Sequence, residues 1–415
     1  MFKIFKFLQL VILFLLLVLS TGCWSRNEVE NLAIASAIGI DKVEQSGEKQ
    51  ILFSVLIVKP ESKSGGDPAG TSGGGGGGVP GWINFAQGNS VDDAQRNLFT
   101  TTSTKPFLGH SRIIILGDET AKDGVGDIID YLERNKDIRL RNWVLVTKGT
   151  ALEIFGIHPE LENLLSEEVN NLLTLSAPDV SKSYAVDLKE FLVDLATPGK
   201  EAVLPLLETR EIPANLAFGI QEGSQADTRK NARLKGLAVF KEDKKVGELG
   251  DTETKGFLWV VGKAQRGALT FQVPNSGTPK NVQVTIDMTR ANSEIQTQVI
   301  RGKPAVTVKI EAEGNIREFS QPNVSVTPED VEEIDKGFAA EIKRQATMAI
   351  LKCQKDLKSD IFGFGTSFHR QQVNYWKEYK LEENWTQVFP EVPVKLEVKA
   401  NVRRSGLTSD SIQIK

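Results

Sequence analysis

Two cysteines, Cys23 and Cys353, and three histidines, His110, His158 and His369, are the side chains of this 415-residue sequence best suited to nucleophilic, redox or metal chemistry. Their spacing argues against most of it. A zinc site needs three or four nitrogen and sulfur ligands at short, regular intervals, whereas the histidines and Cys353 stand far apart. His110-Ser111 comes nearest to a base and a nucleophile, but sequence neighbours project in different directions and no Gly-x-Ser-x-Gly elbow surrounds Ser111. His110 therefore reads as a loop residue that supports a turn, and His158, before Pro159, as a turn residue at a helix end. His369, in Ser367-Phe368-His369-Arg370, suits a surface or an interface as well as a site. Asp356 and Asp360, four apart with Lys355 and Lys358 beside them, read as a solvated helix face. Cys353 falls on an apolar helical stripe, the place of a buried, inert thiol. No catalytic residue, metal ligand set or cofactor motif is assigned.

Cys23 is the exception. Lys3 and Lys6 precede an apolar run, Phe7 to Val18, broken only by Gln9, and the small residues of Ser20-Thr21-Gly22 lead into Cys23. That is the basic region, apolar region and small-residue site of an export signal. The run is about a dozen residues long, short of the roughly 20 that a spanning helix needs. A cysteine directly after small residues resembles a bacterial lipobox. Residues 1–22 are then a lipoprotein signal peptide, and Cys23 is the lipid attachment site at the head of the mature chain. Each buried methylene contributes about 0.8 kcal/mol, so one acyl chain holds marginally and two hold stably.

Charge and cysteine usage bound the rest. The chain carries 50 basic and 54 acidic residues, a net charge of −4, and cleavage would take Lys3 and Lys6 with the leader. A mildly acidic body is unlike the basic surface of a nucleic-acid binder. With Cys23 consumed by lipid, Cys353 has no disulfide partner.

The elements predicted around these residues give an α+β protein built of mixed α/β domains. The N-terminal domain, 23–149, alternates strand and helix. Leu32 to Asp41, Gln50 to Val58, Arg112 to Leu116 and Trp143 to Val146 read as strands, and Ser90 and Asp118 open helices, the second reaching Asn135. Within it, residues 60–81 turn to Gly, Ser and Pro, with six glycines from Gly73 to Gly78. No Gly-Lys-Ser/Thr follows, so this reads as a flexible loop and not as a phosphate cradle. Residues 150–220 read as a mainly helical middle domain, with an apolar stripe from Leu161 to Leu175. A polar stretch at Gln221 to Asn231 opens the C-terminal α+β domain, 221–415, in which period-two strands form an antiparallel sheet packed on a long helix. That helix begins at Thr327-Pro328-Glu329-Asp330, an N-cap followed by a first-turn proline and acids.

Taken together, four segments resemble the Ger(x)C spore germination lipoproteins, the C subunits of nutrient germinant receptors. They are Gly22-Cys23-Trp24-Ser25-Arg26 with Ala33 to Asp41; Lys105-Pro106-Phe107-Leu108-Gly109-His110-Ser111-Arg112; Leu234 to Phe240; and Asp360-Ile361-Phe362-Gly363-Phe364-Gly365. The tract Gly73 to Gly78 departs from the pattern as an enlarged loop. The resemblance implies three mixed α/β domains in an elongated body and a non-enzymatic, lipid-anchored subunit on the outer face of the spore inner membrane. It implies as partners a polytopic A-type and a permease-like B-type subunit, in a receptor that couples nutrient sensing to germination. It brings no catalytic residues, and only Cys23 carries over as a functional position. Phe362 to Arg370 is the expected aromatic and basic contact region. A different class, the solute-binding lipoprotein of a transporter, would need two lobes closing on a ligand, and a lipid-anchored enzyme would need a nucleophile or metal pattern.

Overall fold

The computed structural model describes residues 4–7, 9–10, 32–45, 47–58, 81–157, 159–212, 229–274, 281–320 and 327–404. Cys23, the glycine tract, His158 and residues 221–228 of the polar stretch lie outside the described residues.

In chain order the elements are β1 (Leu32–Gln45), β2 (Glu48–Val58), β3 (Gly81–Gly88), α1 (Val91–Asn97), β4 (Lys105–Phe107), β5 (Ile113–Leu116), α2 (Asp118–Asp123), α3 (Gly126–Arg134) and β6 (Trp143–Thr147). Next come α4 (Ala151–Phe155), α5 (Leu165–Asn171), α6 (Ala177–Val180), α7 (Leu188–Ala196), β7 (Val203–Ile212), β8 (Arg229–Lys241), β9 (Lys244–Leu249) and α8 (Asp251–Val260). The chain continues through β10 (Gly267–Val273), β11 (Val282–Ile300), β12 (Lys303–Phe319), α9 (Pro328–Leu351), α10 (Phe364–Gln371), α11 (Val373–Glu378), α12 (Leu381–Val388) and β13 (Val394–Arg404).

The first sheet has the order β3-β2-β1-β5-β6-β7-β8-β9, with β4 pairing the start of β1. Its centre, from β1 through β5 and β6 to β7, is parallel, and its two flanks are antiparallel. Parallel strands are covered on both faces, which is why Ile113–Leu116 is apolar at every position. One face puts Ile38, Ile40, Ile114, Leu116, Val144 and Val146 against Ala94, Ile128, Leu132 and Phe191. The other puts Ala37, Ile113, Ile115 and Leu145 against Ala151, Phe155, Leu165, Val169 and Leu173. Residues 150–212 thus contribute four short helices and β7 to this layer, and 229–249 contribute its last two strands. Of the broad leucine stripe, only Leu165, Val169 and Leu173 reach the core, while Leu161 and Leu175 are exposed.

The helix expected from Asp118 to Asn135 is two helices. Gly124 adopts φ +120°, and the next two amides leave the helical ladder: Val125 N–H donates to the Asp243 carbonyl and Gly126 N–H to its carboxylate. Asp243 lies in the β8–β9 turn, so a partner distant in sequence ends the first helix. Phe257 to Val261, an apolar run without periodicity, belongs to α8.

The second sheet, β10-β11-β12-β13, is antiparallel through its first three strands, and β13 adds to β12 in parallel. Val284, Ile286, Met288, Val308 and Ile310 are buried; alternation is clean from Val282 to Met288, whereas Ala305 to Val308 are buried at every position. The apolar face packs on α9 through Ile334, Phe338, Ile342, Ala346 and Ala349, spaced at threes and fours. Full burial of the isoleucine and phenylalanine side chains contributes about 1.5 to 3 kcal/mol each. Thr327 is the expected N-cap and forms a capping box with Asp330, with Asp330 N–H on Thr327 Oγ1 at 3.2 Å and Thr327 N–H on the Asp330 carboxylate at 2.9 Å. α8 crosses α9 so closely that a Cβ on Gly256 would overlap the Gln345 carbonyl oxygen.

Candidate functional site at the junction of the two sheets

The segment Asp360 to Gly365 is where the two sheets are joined. α9 runs on into a wide π-helical turn, Lys352–Leu357, and the left-handed Lys358 (φ +51°) ends it. The chain then crosses to the first sheet. Ser359 Oγ donates to the Phe240 carbonyl at 2.6 Å, and Glu201 N–H donates to the Asp360 carbonyl at 2.8 Å. Thr366 closes the joint, its N–H on the Gly199 carbonyl at 3.1 Å and its hydroxyl on the Pro198 carbonyl at 3.0 Å.

At the centre sits the Asp360 side chain, which is fully buried and not on a solvated face as its spacing from Asp356 suggested. Its carboxylate accepts four hydrogen bonds: from Phe362 N–H and Phe364 N–H at 3.2 Å each, Gly365 N–H at 2.8 Å and Trp385 Nε1 at 2.8 Å. Burial pushes its pKa up to about 6, and the four donors hold it there against a higher value. Gly363 makes the turn at φ +72°, and a Cβ on Gly365 would lie 2.7 Å from the Gly199 Cα. Phe362, Phe364 and Phe368 are buried around this carboxylate, so the expected exposed aromatic contact region is instead part of the core. Only Arg370 of that stretch is fully exposed, and His369 stacks on Trp376 with centroids 5.1 Å apart.

A second carboxylate does similar work in the first sheet. Asp41, at the end of Ile38-Gly39-Ile40-Asp41, accepts from Ala151 N–H at 2.8 Å and Leu152 N–H at 3.3 Å, binding the start of α4 to β1. Its pKa is also raised to about 6, chiefly by burial. Gly117 packs directly against this carboxylate.

His110 and Ser111 do not form a catalytic pair. Ser111 is buried; its hydroxyl donates to the Leu108 carbonyl at 2.7 Å and accepts from Asn142 Nδ2 at 2.7 Å. His110 is exposed, with its ring against Phe107 at 5.5 Å. Both residues end a 3-10 turn, Leu108–His110, that links β4 to β5. Cys353 is buried in the α9 core, and burial pushes its thiol pKa far up, away from the nucleophilic thiolate. Among the described residues no cluster of three or more His, Cys, Asp or Glu could hold a metal ion. A groove of about 890 Å³ opens between α1 and α3, lined by Gln95, Phe99 and Tyr131 and by the ion pairs Arg96–Asp92 and Arg134–Asp130. Both pairs are exposed, so neither is poised by desolvation to act on a ligand. Among the described residues no helix is long and apolar enough to cross a membrane.

Three of the four segments singled out from the sequence are therefore structural joints where the structure describes them: β1 with Asp41, the β4–β5 link, and Asp360 to Gly365. The fourth, Leu234 to Phe240, runs along β8, where Gly236 (φ +78°) packs on the Leu249 carbonyl and Phe240 receives Ser359. Sequence reasoning missed Asp360 as a hub. The available signal was an aspartate directly before a glycine-punctuated aromatic turn, a pattern that presents several amides to one carboxylate.

Comparison with known proteins agrees with this architecture. Residues 25–209 match the family described as spore germination protein N-terminal domain, and residues 235–406 match spore germination B3/GerAC like, C-terminal. The chain is 26% identical over 417 residues to spore germination protein KC of Bacillus subtilis (strain 168), covering 98% of each. It is 19% identical to spore germination protein B3 of the same organism, covering 95% of this chain and 97% of that one. The solved structure of the GerBC protein superposes with a TM-score of 0.54 at 15% identity, covering 88% of this chain and 96% of that one, which shows a shared fold.

Proposed function

Because the chain belongs to the Ger(x)C family of spore germination proteins, we propose that it acts in germination as the lipid-anchored, non-catalytic C subunit of a germinant receptor. The observation that carries this reading is the pair of family matches, which together run through nearly the whole chain from residue 25 to 406. The subunit is tethered through Cys23 to the outer face of the spore inner membrane and docks on a polytopic A-type and a permease-like B-type partner. It helps couple nutrient sensing by that complex to germination. Two further features support the reading. The sequence before Cys23 has the layout of a lipoprotein signal, and the segments that carry the family resemblance lock the fold together where the structure describes them.

The test is the germination of spores carrying Cys23→Ala, scored nutrient by nutrient, with the protein's abundance in the inner-membrane fraction measured alongside. Loss of one nutrient response together with loss of the protein from the membrane is the expected result. An unchanged response with the protein demonstrably detached would overturn the tethered-subunit reading.

A further inference from the structure

We propose that the tip of the β11–β12 hairpin, with α11 beside it, is a second membrane contact that seats the protein on an anionic lipid surface. The hairpin outruns its sheet: β13 pairs with β12 only from Val306 onward, so residues 298–305 project beyond it. Arg301 and Gly302 form a two-residue turn at φ +52° and +73°, the tight type whose twist suits a hairpin. Val299 and Ile300 stand at this tip 37% and 49% exposed.

The helices after the Asp360 joint are bonded along this arm. Gln371 accepts from Thr297 N–H at 2.7 Å, Gln372 donates to the Thr297 carbonyl at 3.1 Å, and Tyr375 Oη donates to the Gly302 carbonyl at 2.8 Å. Tyr375 in turn stacks on Tyr379, with centroids 4.2 Å apart, and Tyr379 is 51% exposed. The tip thus carries exposed aliphatics, and the helix bonded beside it carries amphipathic tyrosines of the kind that sit at headgroup level.

Charge favours a lipid headgroup layer over other occupants. In a chain of net charge −4, segments 299–303 and 370–380 hold Arg301, Lys303, Arg370, Lys377 and Lys380 against the single acid Glu378. Basic residues beside exposed aliphatic and aromatic groups, carried on a rigid turn, suit an anionic bilayer surface, which attracts such clusters within a Debye length. The inference rests on the tether proposed above for proximity alone: residues 24–31 can span at most about 30 Å, so a body held at Cys23 stays close to the headgroups.

The test uses the full chain, purified from bacterial membranes and reconstituted into vesicles of phosphatidylcholine alone or mixed with phosphatidylglycerol. A polarity-sensitive dye is placed by Ile300→Cys and, as a control on α2, by Glu119→Cys; nitroxide lipids report depth. Quenching at position 300 on phosphatidylglycerol vesicles, several-fold weaker on phosphatidylcholine and after Arg301→Glu with Lys303→Glu, and absent at position 119, is the expected result. Equal water exposure of both positions on anionic vesicles would overturn the proposal. So would shielding of position 300 that appears only in native membranes containing other proteins, which would make the tip a protein-docking face. Flotation with phosphatidylcholine vesicles reads the tether separately. If that fails, flotation with anionic vesicles decides the patch: binding abolished by the charge reversals supports it, and no binding overturns it.

Discussion

Trp385 reaches back 25 residues to place its indole N–H 2.8 Å from the Asp360 carboxylate, and this bond fastens α12 to the segment that leaves α9. The same carboxylate orders the Phe362-Gly363-Phe364-Gly365 turn through three backbone amides. The Asp360 carbonyl and its neighbour Ser359 hold the first sheet. One residue therefore orders the start of α10, holds α12 in place and adds a link between the second half of the chain and the first.

Replacing Asp360 with Asn keeps the size and removes the charge. The amide keeps one acceptor oxygen and turns an NH₂ group toward amide donors, leaving buried N–H groups unpaired. Each such loss costs about 1 to 3 kcal/mol, so Asp360→Asn is expected to destabilise the protein by about 3 kcal/mol. A guanidinium denaturation midpoint unchanged from that of the native sequence would refute the hub.

Much of this fold is legible in the sequence because it is written locally. The Thr327–Asp330 box, the alternation of Val282 to Ile286 and the fully apolar Ile113 to Leu116 each state their structure within a few residues. What the sequence hid depends on distant partners. Gly124 ends a helix because Asp243 captures the next two amides, and Asp360 is buried because Phe240, Glu201 and Trp385 converge on its neighbourhood. The aromatics of Phe362 to Phe368 looked like a contact surface because composition alone does not tell a buried cluster from an exposed one.

Asp41 and Asp360 give stability a pH dependence of unusual sign. Both have folded pKa values of about 6, above an ordinary carboxyl near 3.8. Between these values the native state holds more protons than the unfolded chain, so stability falls as pH rises. The contribution is fully present below about pH 3.8 and lost as pH rises through about 6. Glu201, raised by burial to about 7, extends the trend. Carboxylates held low by ion pairs, such as Glu208 with Arg233 and Lys148, act oppositely at lower pH. The measurable quantity is the unfolding free energy of the native sequence and of Asp41→Asn from pH 4 to 7. The variant should lose part of the downward slope, and parallel curves would show that Asp41 does not titrate in this window.

Gly256→Ala tests the α8–α9 crossing. The added methyl would overlap the Gln345 backbone carbonyl, and it would also lie 2.9 Å from the Ala349 Cβ. Neither neighbour is a flexible chain end, so the helices must part. Separation would also stretch the bond from Trp259 Nε1 to Gln345 Oε1, now 3.1 Å. A loss of about 2 to 3 kcal/mol is expected from overpacking of this kind, with red-shifted tryptophan emission; a neutral outcome would mean that the crossing is looser than described.

Cys353 supplies a native reporter on the whole assembly. Its thiol is fully buried on the α9 stripe between the second sheet and the Asp360 joint, and burial holds it in the protonated form. The thiolate is the nucleophile that attacks a thiol reagent, so modification must wait for an opening that exposes this core. Labelling of the native protein should therefore proceed at the rate set by the population of the open state, and should rise steeply with denaturant. If Asp360 secures that core, Asp360→Asn should speed labelling by about 100-fold, the factor that corresponds to about 3 kcal/mol at 1.36 kcal/mol per tenfold change. Rapid labelling of the native chain without denaturant would contradict the burial of Cys353. Slow labelling that the Asp360 substitution leaves untouched would show that α9 opens independently of the joint beyond its end.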